Sequence, residues 1–142
     1  MIKKLIFTLA CIVSSAMLVS CGDDFLDGNW DPIEITVNGI KCKSNVCEVP
    51  ANGGVFKIFT KNYGSPWLNE VDENGKRVWP IDGSWTDYKD IDLKGDWYSV
   101  QYDKSGNIVV TIMHKVADTP ERNIKFYLEC GDSFGEISLV QK

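Results

Sequence analysis

Asn123-Ile124-Lys125-Phe126-Tyr127-Leu128-Glu129-Cys130, then Gly131, then Asp132-Ser133-Phe134-Gly135 and Glu136-Ile137-Ser138-Leu139-Val140-Gln141, is the stretch whose reading decides the fold. In its first run Ile124, Phe126, Leu128 and Cys130 fall on one side of an extended chain, with Asn123, Lys125, Tyr127 and Glu129 on the other. A period of two is what a strand with one buried face requires. Asp132-Ser133-Phe134-Gly135 reads as a turn, after which Ile137, Leu139 and Gln141 alternate with Ser138 and Val140. These features predict two strands and a reversal.

The same period recurs upstream. Ile108, Val110 and Ile112 oppose Val109, Thr111 and Met113. Ile33, Ile35 and Val37 alternate with Glu34 and Thr36, Asn38-Gly39 follows, and Ile40 and Cys42 alternate with Lys41 and Lys43. Asn-Gly between alternating runs predicts a two-residue hairpin, because both central residues must take positive φ. That register sets Val37 opposite Ile40 and Ile35 opposite Cys42, which would bury Cys42. Cys47-Glu48-Val49, a Pro-Ala-Asn-Gly-Gly turn and Val55–Thr60 add more strand. Past residue 20, no window of twelve residues carries a helical stripe. The pattern predicts an all-β, immunoglobulin-like sandwich of about seven or eight strands.

One stretch departs from this spacing. Residues 69–96 mix aromatics, acids, Gly and Pro without a clean period, and Asp72-Glu73-Asn74-Gly75 reads as a turn within them. This is a long inserted connection or an inserted hairpin; long connections in compact domains are usually functional or disordered, and three aromatic rings argue against disorder. Trp79, Trp85 and Tyr88, with Asp82 and Asp87, offer rings that stack on sugar C–H faces and carboxylates that meet hydroxyls. They are the candidate ligand-binding residues, and internal packing or a patch for a surface protein is the competing use of the same rings. Trp67 and Trp97 sit in strand contexts and are expected in the core.

The chain opens with Met1-Ile2-Lys3-Lys4, an apolar run from Leu5 to Val13, small residues Ser14, Ser15 and Ala16, and Leu18-Val19-Ser20-Cys21. A basic start, a short apolar run and a small-residue cleavage zone form a secretory signal. The run to Val19 falls short of the roughly 20 residues that a spanning helix needs. Leu18–Cys21 resembles a bacterial lipobox, which implies a lipid on Cys21 and attachment to the membrane through it. The expected organisation is a signal over 1–20, a tether over 21–32 and one domain over 33–142.

Charge and cysteine usage narrow the remaining classes. Without Lys3 and Lys4 the chain holds 13 Lys and Arg against 20 Asp and Glu. An acidic chain without a basic cluster is not expected to bind nucleic acid. Cys42, Cys47 and Cys130 allow at most one internal disulfide, and spacing does not choose the pair. Three scattered cysteines and one histidine lack metal-ligand spacing, and Asp87, Asp90 and Asp92 match no calcium loop, so neither metal nor cofactor is expected. His114 is the only histidine, no serine elbow or Cys–His signature surrounds it, and an enzyme is not expected.

Several of these residues resemble a known family. Val49-Pro50-Ala51-Asn52-Gly53-Gly54-Val55-Phe56 and Trp67 resemble the opening of the BACON domain, a Bacteroidetes-associated module proposed to bind carbohydrate. Trp97-Tyr98-Ser99-Val100, Ser105-Gly106-Asn107-Ile108-Val109-Val110, Arg122-Asn123-Ile124 and Val140-Gln141 resemble its later strands. The match spans roughly residues 33–142. It departs from the family at His114-Lys115-Val116, where the family usually has an Asn, and in the length of the connection between the two Trp strands. The resemblance implies a Bacteroidetes source and a carbohydrate ligand. With Gly22-Asp23-Asp24 after the lipid site, it also implies outer-membrane attachment facing the cell exterior.

Overall fold

The computed structural model describes residues 30–80 and 90–142. Its strands are β1 (Ile35–Val37), β2 (Val46–Val49), β3 (Gly54–Thr60), β4 (Trp67–Glu73) and β5 (Lys76–Trp79), then β6 (Asp92–Lys94), β7 (Tyr98–Tyr102), β8 (Ile108–Ile112), β9 (Arg122–Cys130) and β10 (Ser133–Gln141). They form two five-stranded sheets, ordered β1-β3-β8-β7-β6 and β2-β10-β9-β4-β5. All pairings are antiparallel except β2 with β10. The protein is an immunoglobulin-like β-sandwich, with ten short strands among the described residues.

The deciding stretch forms the centre of the second sheet. Ile124, Phe126, Leu128, Ile137 and Leu139 are buried between the layers, and Ile58, Ile108, Val110 and Val100 meet them from the first sheet. The reversal is tighter than the sequence predicts. Cys130 pairs with Ser133 across Gly131 and Asp132, so Phe134 lies on β10 rather than in a turn. Gly131 takes φ +61°, a region open to glycine at little steric cost.

Both Asn-Gly turns form with two positive φ values, 51° and 80° at Asn38-Gly39 and 49° and 82° at Asn74-Gly75. The first does not continue into the expected ladder. Val37 and Ile40 exchange backbone hydrogen bonds of 2.9 and 3.0 Å, but β1 then pairs with β3, and Ile40 is 69% exposed. The reason is covalent: Cys42 and Cys47 form a disulfide around a 3-10 turn at Lys43–Asn45. This carries the chain from the edge of one sheet to β2 in the other and leaves Cys42 half-buried, not buried as the hairpin register required.

The end of the sandwich holding Arg122 and Gln141 is closed by polar groups. Gln141 has no exposed surface, and its amide donates to the carbonyls of Pro50, Ala51 and Met113 at 3.0–3.1 Å. Arg122 donates to Gln141 Oε1 at 3.2 Å and stacks over the Trp97 ring, 5.4 Å from its centroid. Trp97 Nε1 donates to Glu73 Oε1 at 2.6 Å, and the Tyr98 hydroxyl donates to Glu73 Oε2 at 3.3 Å. Burial first, then the Glu73 charge, pushes the Tyr98 phenol up to about 12. The Trp, Arg and Gln that carry the family resemblance therefore tie loops to strands, a role in stability.

At the opposite end the chain before β1 is fastened to the domain. The carbonyl of Asp31 accepts from the Tyr63 hydroxyl at 2.6 Å and the Ser133 hydroxyl at 3.0 Å, and Asn62 Nδ2 donates to the Pro32 carbonyl at 2.9 Å. Trp30 packs beside Tyr63, and a Cβ on Gly131 would lie 3.2 Å from its indole. Residues 30–32, expected in the tether, belong to the folded unit.

Candidate functional site

β4 contains an irregularity that builds the outer face of the second sheet. Leu68 pairs with Leu128 and Glu70 with Tyr127, so Asn69 has no partner across the ladder. An extra residue of this kind is a β-bulge, which re-aims side chains and is frequent beside binding sites. Leu68 and Val71 both remain buried, and Asn69 turns its amide to Glu129, donating at 2.7 Å. The Oδ1 atom of Asn69 is buried with no hydrogen-bond partner among the described residues.

Register then places a row of large side chains on that face. Trp67 and Phe134 pair with Glu129 from opposite sides. Glu129 faces away from the core, because Leu128 and Cys130 on either side of it are buried. Cross-strand partners share a face, so Trp67, Glu129 and Phe134 form one row, with Trp67 47% and Phe134 66% exposed. Adjacent strands lie about 4.8 Å apart, which puts the two ring-bearing positions roughly 10 Å from one another. Trp67 is thus on the surface and not in the core as expected, whereas Trp97 is buried, at 6% exposed.

Beside this row is an open cleft of about 530 Å³ lined by Asn69, Glu70, Arg77, Pro80, Tyr127 and Phe134, among others. Arg77 forms an ion pair with Glu70 across the β4–β5 hairpin. Lys125 pairs with Glu136 at 3.5 Å on the same face. The Tyr127 hydroxyl donates to Asp72 at 3.4 Å, and burial lifts its phenol above the ordinary value, opposed by Lys125 and reinforced by Asp72. The surface combines flat rings with donors and acceptors held by strands. Among the described residues no group of His, Cys, Asp and Glu could hold a metal ion.

Trp79 pairs with Val71, whose side chain is fully buried, and packs half-buried against the core from the inner side of the sheet. Asp82, Trp85, Asp87 and Tyr88 lie outside the described residues, as does Cys21. Pro80, immediately before residues 81–89, lines the cleft. The described part of the inserted connection is the β4–β5 hairpin and the edge strand β6. Sequence reasoning missed Trp67, Asn69 and Phe134 as surface residues. One signal was available: Leu68 and Val71 are three apart, a spacing that strict alternation does not allow if both face inward.

No family model and no curated protein matches the chain. Among solved structures, an NMR structure of a protein from Bacteroides thetaiotaomicron is similar, with 29% identity and a TM-score of 0.63 over 86% of this chain and 96% of that one. The N-terminal Ig1-2 module of the Drosophila receptor protein tyrosine phosphatase DLAR aligns at 17% identity and a TM-score of 0.43, over 79% of this chain and 48% of that one.

Proposed function

We propose that this protein is a lipid-anchored module of the bacterial outer membrane, displayed at the cell exterior, that binds carbohydrate without catalysis. The observation that carries the reading is the Trp67–Glu129–Phe134 row beside the cleft. Exposed rings on the two strands that flank β9 stack on the C–H faces of sugars, and Asn69, Glu70 and Arg77 supply acceptors and donors for hydroxyls. Strands hold these groups more rigidly than loops do, so little ordering is needed on binding. The resemblance to the BACON domain supports the carbohydrate reading, and the likeness to a Bacteroides protein supports the bacterial source. The lipobox-like Leu18–Cys21 supports the anchor.

A glycan array and a mucin pull-down with wild type, Phe134→Ala and Trp67→Ala test the ligand and its site. Loss of at least tenfold in affinity is expected for each variant, with folding unchanged. Binding that survives both substitutions removes the site, and a wild type that retains no glycan favours a protein-interaction role for the same face. Incorporation of radiolabelled palmitate is expected in wild type and absent in Cys21→Ala; equal labelling overturns the anchor.

A further inference from the structure

We propose that the platform's ligand is the neutral sugar headgroup of a lipid in the same membrane that holds the anchor on Cys21. This rests on the reading above and adds the source and charge of the saccharide. The chain enters the folded domain at Trp30–Pro32. Three hydrogen bonds and the packing of Trp30 beside Tyr63 and Gly131 clamp this segment to the β3–β4 loop and the β9–β10 turn. The clamp fixes where the chain leaves the domain. Between Cys21 and Trp30 the chain reaches at most about 32 Å even when extended. Phe134 follows Gly131 by three residues on the same hairpin, about 10 Å further at strand rise. The platform is therefore confined to within roughly 40 Å of the lipid attachment point, at the anchored end of the sandwich. The Arg122–Gln141 end lies about 26 Å farther along β9.

Charge selects among headgroups at that distance. Glu129 lies between the two rings, and its side chain forms no ion pair among the described residues. Two cations on the same face, Arg77 and Lys125, are matched by Glu70 and Glu136. A carboxylated or sulfated sugar stacked on Trp67 and Phe134 would face an unmatched carboxylate, whereas hydroxyls of a neutral sugar donate to it. A ligand on the same membrane also gains the effective concentration of a tethered partner.

The test uses the full-length lipidated protein in phosphatidylcholine vesicles, with a fluorescent neutral oligosaccharide as probe. A lipid carrying that oligosaccharide is added either to the protein's own vesicles or to separate ones. Competition in the same vesicle is expected to be at least tenfold more effective. Trp30→Ala combined with Tyr63→Phe, which loosens the clamp, is expected to keep probe binding and shrink that advantage. Equal competition from both vesicle populations overturns the membrane source, and binding of a sialylated probe as tight as the neutral one overturns the charge selection. A protein that binds neither probe overturns the carbohydrate reading itself, an outcome distinguishable from both.

Discussion

The two ends of the β9–β10 hairpin are built from similar residues to opposite effect. At one end Trp97, Arg122 and Gln141 are drawn inward, with the indole bonded to Glu73 and the buried amide holding three loop carbonyls. At the other end Trp67, Glu129 and Phe134 stand on the outer face beside an open cleft. A Trp and a Glu occur at both. What separates them is where each ring sits: cross-strand register puts Trp67 on the outer face of β4, whereas Trp97 lies in the bend just before β7 and turns inward beneath Arg122 onto Glu73. Tryptophan content therefore does not identify a binding surface; the tertiary placement of each ring does.

The sharpest way to break this contrast is to truncate each tryptophan. Trp97→Ala is expected to cost about 3–5 kcal/mol in urea unfolding, because it empties a buried site and removes one of the two donors to Glu73. Trp67→Ala is expected to cost under about 1 kcal/mol. Similar losses for the two would mean that Trp67 is a structural residue. Gln141→Leu comes next, at about 2–4 kcal/mol, since it leaves the carbonyls of Pro50, Ala51 and Met113 without that donor. A loss below 1 kcal/mol would show that water replaces the amide and that this end is not closed. Removing the Cys42–Cys47 bridge with paired serines is expected to cost about 2 kcal/mol, the chain-entropy value for so short a loop, while glycan binding is unchanged. Weakened binding would link the disulfide edge to the distant platform.

The smallest effect concerns alkaline pH. The Tyr98 phenol titrates at about 12 when folded and near 10 when unfolded. Its folded value is raised, so the unfolded chain loses the proton first. The stability tied to the protonated form is complete below pH 10 and is lost as pH rises toward 12. Tyr98→Phe is expected to flatten the fall in stability over pH 10–12. An equally steep fall in the variant would assign the transition to another group.

The features legible in advance were local ones. Alternation in 108–112 and 123–130 marked the inward faces, and Asn38-Gly39 and Asn74-Gly75 adopted the positive φ pairs that their composition requires. The hairpin after Val37 failed beyond its turn because a disulfide, undecidable from spacing, redirected the chain. The platform was hidden for a related reason. It depends on the bulge at Asn69 and on β4 coming into register at Glu129 with the β9–β10 hairpin, a distant part of the chain.

By itself, the sequence determined that this chain is an all-β sandwich, where several of its turns lie and which side chains its regular strands bury. Those properties follow from φ preferences and a two-residue period, both set by neighbours along the chain. Only the tertiary structure decided that Cys42 joins Cys47, that Trp67 faces solvent while Trp97 does not, and that residues 30–32 are fastened to the fold. Each of these depends on a pairing between segments that the chain's local preferences leave undetermined.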